Sequence, residues 1–221
     1  MNVLVVGASR GIGLEFVRQY LADGATVTAT ARDDDGVARL VALGATAIRL
    51  DVLDAASASG LAWQIDGAAF DVAIVNAGVN GPRVAGLAAP AEDDFDRVMR
   101  TNVLGPMRVI PQVVEAMAPS AKVAVLSSLM GSIGARTAAG STLYRASKAA
   151  VNSVMKDAAI SFAKRATFVS LHPGWVRTDM GGAGADIDVE TSVAGMRKVI
   201  AGLSARDNGA FFNYDGKAIA W

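Results

Sequence analysis

Seven short apolar runs alternate with longer stretches of helical periodicity, and this alternation constrains the fold more than any other feature. The runs lie at Val3–Val6, Ala25–Ala31, Ala47–Leu50, Asp71–Val75, Lys122–Leu126, Thr167–Leu171 and within Ala210–Tyr214. Between them the spacing predicts helices over Gly11–Ala22, Asp34–Leu43, Ala55–Ile65, Glu92–Met117, Thr142–Ala163 and Val189–Leu203. Strands alternating with helices imply a parallel sheet covered on both faces. Several runs are unbroken in apolar residues, as burial on both faces requires. No repeat, low-complexity tract or linker divides the chain. Its 221 residues also fall below the roughly 250–300 at which a single core stops growing. The expectation is α/β: one doubly wound domain, residues 1–221, with a parallel seven-stranded sheet and helices on both faces.

Composition removes several function classes. With 52% hydrophobic and 19% charged residues the chain can bury a large core. Lys+Arg and Asp+Glu balance at 21 each, so there is no basic field to draw nucleic acid or anionic lipid. The absence of cysteine excludes disulfides, thiolate metal sites and a Cys nucleophile, and a single histidine leaves no His-rich metal site. No metal is expected. No stretch approaches the roughly 18 apolar residues of a membrane span, and the start lacks the basic region of a signal peptide. A cytoplasmic location is the expectation.

The first strand ends in Gly7-Ala8-Ser9-Arg10-Gly11-Ile12-Gly13 and runs directly into a helix. Glycines there permit a tight turn and let a phosphate approach the backbone, while the helix N-terminus offers free N–H groups and positive dipole. At the first strand-to-helix junction of an alternating chain, this is a dinucleotide site. The end of the second strand, Thr30-Ala31-Arg32-Asp33, selects between dinucleotides. A carboxylate there would hold the ribose hydroxyls of NAD, whereas Arg32 with Arg10 would clamp a 2′-phosphate. NADP(H) is favoured and NAD(H) stays open, because Asp33 would count if the strand ran longer. The same turn matches G-x-S-x-G, the elbow of a serine hydrolase, with Ser9 as nucleophile and His172 as base. Only six residues precede Gly7, too few for the strand and loop that such an elbow needs. His172 is expected instead as a hydrogen-bonded residue at a strand end.

Tyr144 and Lys148 lie four apart near a helix start, on one face. A phenol exchanges protons poorly at neutral pH, and a nearby ammonium would favour the phenolate. Lys122–Leu126 leads into Ser127 and Ser128 at a strand carboxyl end, where a hydroxyl would polarise a substrate carbonyl. Pro106 has no N–H, so the Asn102 carbonyl loses its helical partner and is free to hold a water.

Gly7-x-x-x-Gly11-x-Gly13, Asn76-Ala77-Gly78, Asn102, Ser128, Tyr144-x-x-x-Lys148 and Pro173-Gly174 occur in the order found in short-chain dehydrogenases/reductases. The chain resembles that family over essentially its whole length. Tyr144-Arg145-Ala146-Ser147-Lys148, His172 to Met180 and the ending Tyr214 to Trp221 look most like the C-factor/sniffer-type carbonyl reductases. The resemblance implies a Rossmann fold and an Asn102–Ser128–Tyr144–Lys148 tetrad. In it Tyr144 would be the general acid/base and Ser128 would orient the carbonyl. Lys148 would lower the tyrosine pKa and hold the nicotinamide ribose, while Asn102 would anchor a relay water. It implies further cofactor contacts at Gly7, Ser9, Arg10, Gly11, Ile12, Gly13, Arg32, Asp51, Val52, Asn76, Ala77, Gly78, Pro173, Gly174, Val176 and Thr178. The acid of NAD-specific members is absent at Ala31, which again points to NADP.

Three departures from the family pattern carry expectations of their own. Val6 and Val75 replace residues that support the glycine turn, which predicts a looser cofactor site. The Ser128–Tyr144 segment is about three positions longer than usual, so Ser127, Ser128 and Ser132 all stay candidates and the substrate pocket is reshaped. Leu129, Met130, Trp175 and Met180 suggest an apolar or mixed pocket for an aldehyde, ketone or quinone, with nothing in Met180–Val189 selecting by charge. That segment is expected to be either a mobile lid or a floppy connection. Homodimer, homotetramer and monomer all stay open. A dinucleotide-binding signalling or scaffold protein of the same fold is the alternative to an oxidoreductase.

Overall fold

The computed structural model describes residues 1–82 and 87–221. Seven strands form one sheet: β1 (Asn2–Val6), β2 (Thr26–Ala31), β3 (Thr46–Arg49), β4 (Phe70–Val75), β5 (Met117–Leu126), β6 (Ala166–His172) and β7 (Ala210–Asn213). Their order is β3-β2-β1-β4-β5-β6-β7, with every neighbouring pair parallel. The helices are α1 (Gly11–Ala22), α2 (Asp34–Ala42), α3 (Ala55–Ser59), α4 (Leu61–Gln64), α5 (Glu92–Met99), α6 (Gly105–Glu115), α7 (Thr142–Ser161) and α8 (Val189–Gly202). The expected doubly wound α/β domain is therefore present, with a core layer on each face of the sheet.

Alternation along the strands assigns residues to the layers. Leu4, Val6, Val123, Val125 and Phe168 pack with Val109, Val113, Val151 and Met155 from α6 and α7. Val3, Val5, Ala124 and Leu126 face the other way, onto Phe16, Val17 and Tyr20 of α1 and Val193 and Met196 of α8. Strand order reverses between β1 and β4, and a doubly wound sheet opens a crevice at such a point, beyond the strands' carboxyl ends.

Two predicted helices are interrupted, one with support from another helix and one at a proline of its own. Over Ala55–Ile65 the helix divides at Gly60 into α3 and α4. Gln112 of α6 takes over the backbone groups beside the break: its Oε1 accepts from Ala62 N–H at 3.1 Å and its Nε2 donates to Ala58 O at 2.7 Å. Over Glu92–Met117, a π-helical segment (Arg100–Leu104) separates α5 from α6, and Gly105 N–H donates to Arg100 O. Pro106 follows, and the helical bond that it cannot donate is accommodated by this widened turn beside Asn102. The helix also ends at Glu115, because Met117 pairs with Phe70 and opens β5 earlier than Lys122.

Candidate active site

The glycine turn is held from three directions. Asn76 Nδ2 donates to Gly7 O at 2.5 Å, and Asn76 and Ala77 N–H both donate to Val6 O, at 2.9 and 3.1 Å. Gly7 N–H donates to Thr30 Oγ1 at 3.0 Å and Ala8 N–H to Thr30 O at 2.7 Å. Thr30, on the neighbouring strand, thus gives the turn a side-chain and a backbone acceptor that the loss of support at Val6 and Val75 did not foretell. No local signal marks Thr30, because its partner lies on another strand. A Cβ at Gly7 would come within 2.8 Å of Ala77, and one at Gly13 within 2.3 Å of Gly7 O, so α1 reaches this close to the turn only with glycine at both positions.

β2 ends at Ala31, leaving Arg32 exposed beyond it. Asp33 does not extend the strand. Its Oδ1 accepts from Gly36 N–H at 2.8 Å and caps α2. Arg39, which the sequence reading overlooked, donates to Ser9 O at 2.5 Å. Arg10 forms an ion pair with Asp179 at 2.6 Å.

Two clefts meet at the carboxyl ends of the strands. The first, of about 350 Å³, is lined from the glycine turn across Arg10, Arg32, Asp51, Val52, Asn76, Ala77 and Gly78 to Tyr144, Lys148, Pro173 and Thr178. Of the expected cofactor contacts, Gly174 and Val176 line only the second cleft, and Gly13 lies beneath the turn. The second cleft, of about 530 Å³, includes Ser128, Met130, Tyr144, His172 and Trp175. Ile12, Ser127, Tyr144, Pro173, Thr178 and Met180 line both.

The structure separates the three serine candidates. Ser127 Oγ donates to Lys148 O at 3.4 Å, and Ser132 Oγ to Ala220 O at 2.5 Å. Ser128 caps a short 3₁₀ turn (Leu129–Gly131), its Oγ accepting from Met130 N–H at 3.1 Å, and it lies beside Tyr144. Burial pushes the Tyr144 phenol up from its ordinary value, and the Ser128 hydroxyl pulls it part of the way back. Lys148 is not among the groups that offset the burial. Its Nζ lies 5.7 Å from the Tyr144 ring centroid and donates to Leu126 O at 2.8 Å. Burial lowers the lysine to about 8.

Asn102 is buried and fully engaged. Its Oδ1 accepts from Val79 N–H at 2.8 Å, and its Nδ2 donates to Val79 O and Ser147 Oγ, both at 2.9 Å. Gly78 lies beside these groups, and a Cβ there would stand in ordinary contact, 3.4 Å, with Asn102 Oδ1 and Lys148 Nζ.

Ser9 and His172 line different clefts, so no nucleophile–base pair of a hydrolase forms. His172 ends β6, but its Nδ1 is buried without a hydrogen-bond partner, contrary to the expectation of a bonded strand-end residue. Desolvation lowers its pKa to about 4, leaving it neutral at physiological pH. The Met180–Val189 segment is tied to the chain before it at Ile187. Val176 bridges Ile187, Arg177 N–H donates to Ile187 O at 2.9 Å, and Ile187 N–H donates to Trp175 O at 3.2 Å.

Residues 1–186 match the short chain dehydrogenase family. The C-signal protein of Myxococcus xanthus is 40% identical over 154 residues, covering 68% of this chain and 92% of that protein. A short-chain dehydrogenase/reductase of Burkholderia multivorans, solved with bound NADP, has a TM-score of 0.90 at 32% identity over 100% of this chain and 99% of its own. The carbonyl reductase Sniffer of D. melanogaster has a TM-score of 0.89 at 30% identity, over 100% and 99%. The chain belongs to the short-chain dehydrogenase/reductase family of oxidoreductases and is similar within it to the C-signal and carbonyl reductase branch.

Proposed function

We propose that this protein is an NADP(H)-preferring carbonyl reductase that interconverts an aldehyde, ketone or quinone with its alcohol. One observation carries the reading: Tyr144 lines both clefts, with Lys148 on the first and Ser128 on the second. The first cleft fits a dinucleotide, because Gly7 and Gly13 let α1 pack directly against the turn and the α1 N-terminus opens onto the cleft. Arg32 beyond β2 and Arg10 in the glycine turn fit a 2′-phosphate, while Asp33, which lines the same cleft, has its Oδ1 engaged in capping α2. The related Burkholderia multivorans enzyme holds NADP.

When bound there, the nicotinamide supplies hydride to the carbonyl carbon. Ser128 donates a hydrogen bond to the substrate oxygen and Tyr144 delivers the proton that this oxygen takes up. Burial raises the Tyr144 phenol, so at neutral pH it holds the proton that a reduction consumes. Lys148, as an ammonium below about 8, returns the proton to Tyr144, and from its place on the first cleft it would hold the ribose of a bound nicotinamide. The Asn102 side chain clamps Val79 while its carbonyl, next to Pro106, holds the relay water.

NADPH and NADH consumption, followed separately against a panel of aldehydes, ketones and quinones, tests the reading. NADPH is the expected preference, and Tyr144→Phe should lower turnover by about 10²–10⁴-fold with NADPH binding retained. The C-signal likeness favours a second reading, a dinucleotide-binding signalling or scaffold protein. NADPH binding without turnover across the panel would select it.

A further inference from the structure

The second cleft is cationic. Its described lining residues include Arg136, which is exposed, and Arg145, and no aspartate or glutamate. The acid at its border, Asp179, lines the first cleft and is paired with Arg10. His172 is neutral and adds no charge. Arg145 is half-buried at the start of α7, where its Nε donates to Gly140 O at 2.9 Å and orients the guanidinium. Arg136 comes from the extended segment between Ser128 and Tyr144, whose main chain is anchored. Ser132 Oγ donates to Ala220 O and accepts from Ala135 N–H at 2.9 Å, while Gly134 N–H donates to Trp221 O at 2.8 Å. Gly131 packs so closely on Lys148 that a Cβ would come within 2.7 Å of its backbone. The extension therefore presents Arg136 from a fixed base to the cleft that Tyr144 and Ser128 face.

We propose that the substrate is a carbonyl compound bearing an anionic group, a carboxylate on an apolar or aromatic body, which Arg136 and Arg145 bind while Met130 and Trp175 cover the body. A guanidinium fork matches a carboxylate in geometry as well as charge. Two cations in a cleft without a compensating acid also draw anions toward it. The proposal rests on the reductase reading for its chemistry. The reaction is unchanged by it: hydride goes to the carbonyl carbon and a proton to the oxygen, while the carboxylate takes no part.

Two matched aldehydes test it, 4-carboxybenzaldehyde and methyl 4-formylbenzoate, which differ in charge at the remote end. The expected kcat/KM ratio favours the acid by about tenfold or more at low ionic strength and falls as salt is raised. Arg136→Gln and Arg145→Gln should each lower that ratio several-fold, and Arg136→Glu should reverse it. A variant that merely distorts the cleft would slow both aldehydes and leave the ratio in place. An ester turned over as well as the acid, or a ratio indifferent to Arg136, overturns the proposal. Consumption of neither aldehyde would count against the reductase reading instead. Calorimetric titration with benzoate and methyl benzoate then decides the anion site by itself. Preferential benzoate binding lost in Arg136→Gln supports it, and equal binding overturns it.

Discussion

Lys148 shows how a single residue couples stability to chemistry. Its folded-state pKa of about 8 lies below the ordinary 10.5, so between these values the unfolded chain binds more protons than the folded one. Stability therefore rises with pH across that window, and the full cost of burying the ammonium, about 3 kcal/mol, applies below it. Lys148→Met removes that cost but leaves Leu126 O without its donor. In urea titrations the stability of Lys148→Met relative to the parent should fall by about 3 kcal/mol as pH rises from 8 to 10.5. A difference that does not vary with pH would mean the ammonium is solvated. Thr30 makes a second residue-scale case. Thr30→Val keeps the shape but removes the acceptor of Gly7 N–H, and should lower stability by about 1–3 kcal/mol and weaken NADPH binding, with Thr30→Ser restoring both.

At the scale of elements, α6 combines one proline that the site uses with another that it does not. Pro106 lies next to the π segment that carries Asn102. Pro111 sits inside the helix, is exposed and lines neither cleft. A proline in a helix interior removes a backbone bond and crowds the carbonyl four residues back, costing about 3 kcal/mol, part of which its stiffening of the unfolded chain returns. Pro111→Ala should therefore stabilise the protein by about 1–2 kcal/mol, read as a higher Tm with kcat/KM unchanged. A lower Tm would show that α6 is shaped around the kink. The α1 boundaries Gly11–Ala22 were legible because an apolar stripe begins directly after the glycine turn. The break at Gly60 was not, since Gln112, which stabilises it, lies on another helix.

For the molecule as a whole, the sole histidine couples stability to pH just below neutrality. The chain has a single histidine, and its imidazole is held to about 4 by desolvation. Between about 4 and the ordinary 6.5 the unfolded chain takes up the proton that the folded chain refuses, so stability falls as pH drops through that interval. Nuclear magnetic resonance of the lone imidazole should show a midpoint near 4, without interference from any other histidine. A midpoint near 6.5 would mean that water reaches Nδ1 in the folded state. His172→Gln should flatten the stability profile over the same interval.

Periodicity and motif order were enough for the sheet, the glycine turn and the identity of Asn102, Ser128, Tyr144 and Lys148 as candidates. These features are encoded locally, in spacing along one strand or helix and in residues that only a tight turn demands. Tertiary structure decided the properties that depend on what lies opposite. Thr30 supports Gly7 across two parallel strands, and Asp33 is diverted to cap α2. Lys148 turns to Leu126 O, while burial rather than charge dominates the Tyr144 proton. Arg136 reaches a cleft whose charge cannot be read from a chain with balanced totals. Burial, desolvation and cross-strand hydrogen bonds depend on the distance between groups remote in the chain, and that distance exists only once the sheet has formed.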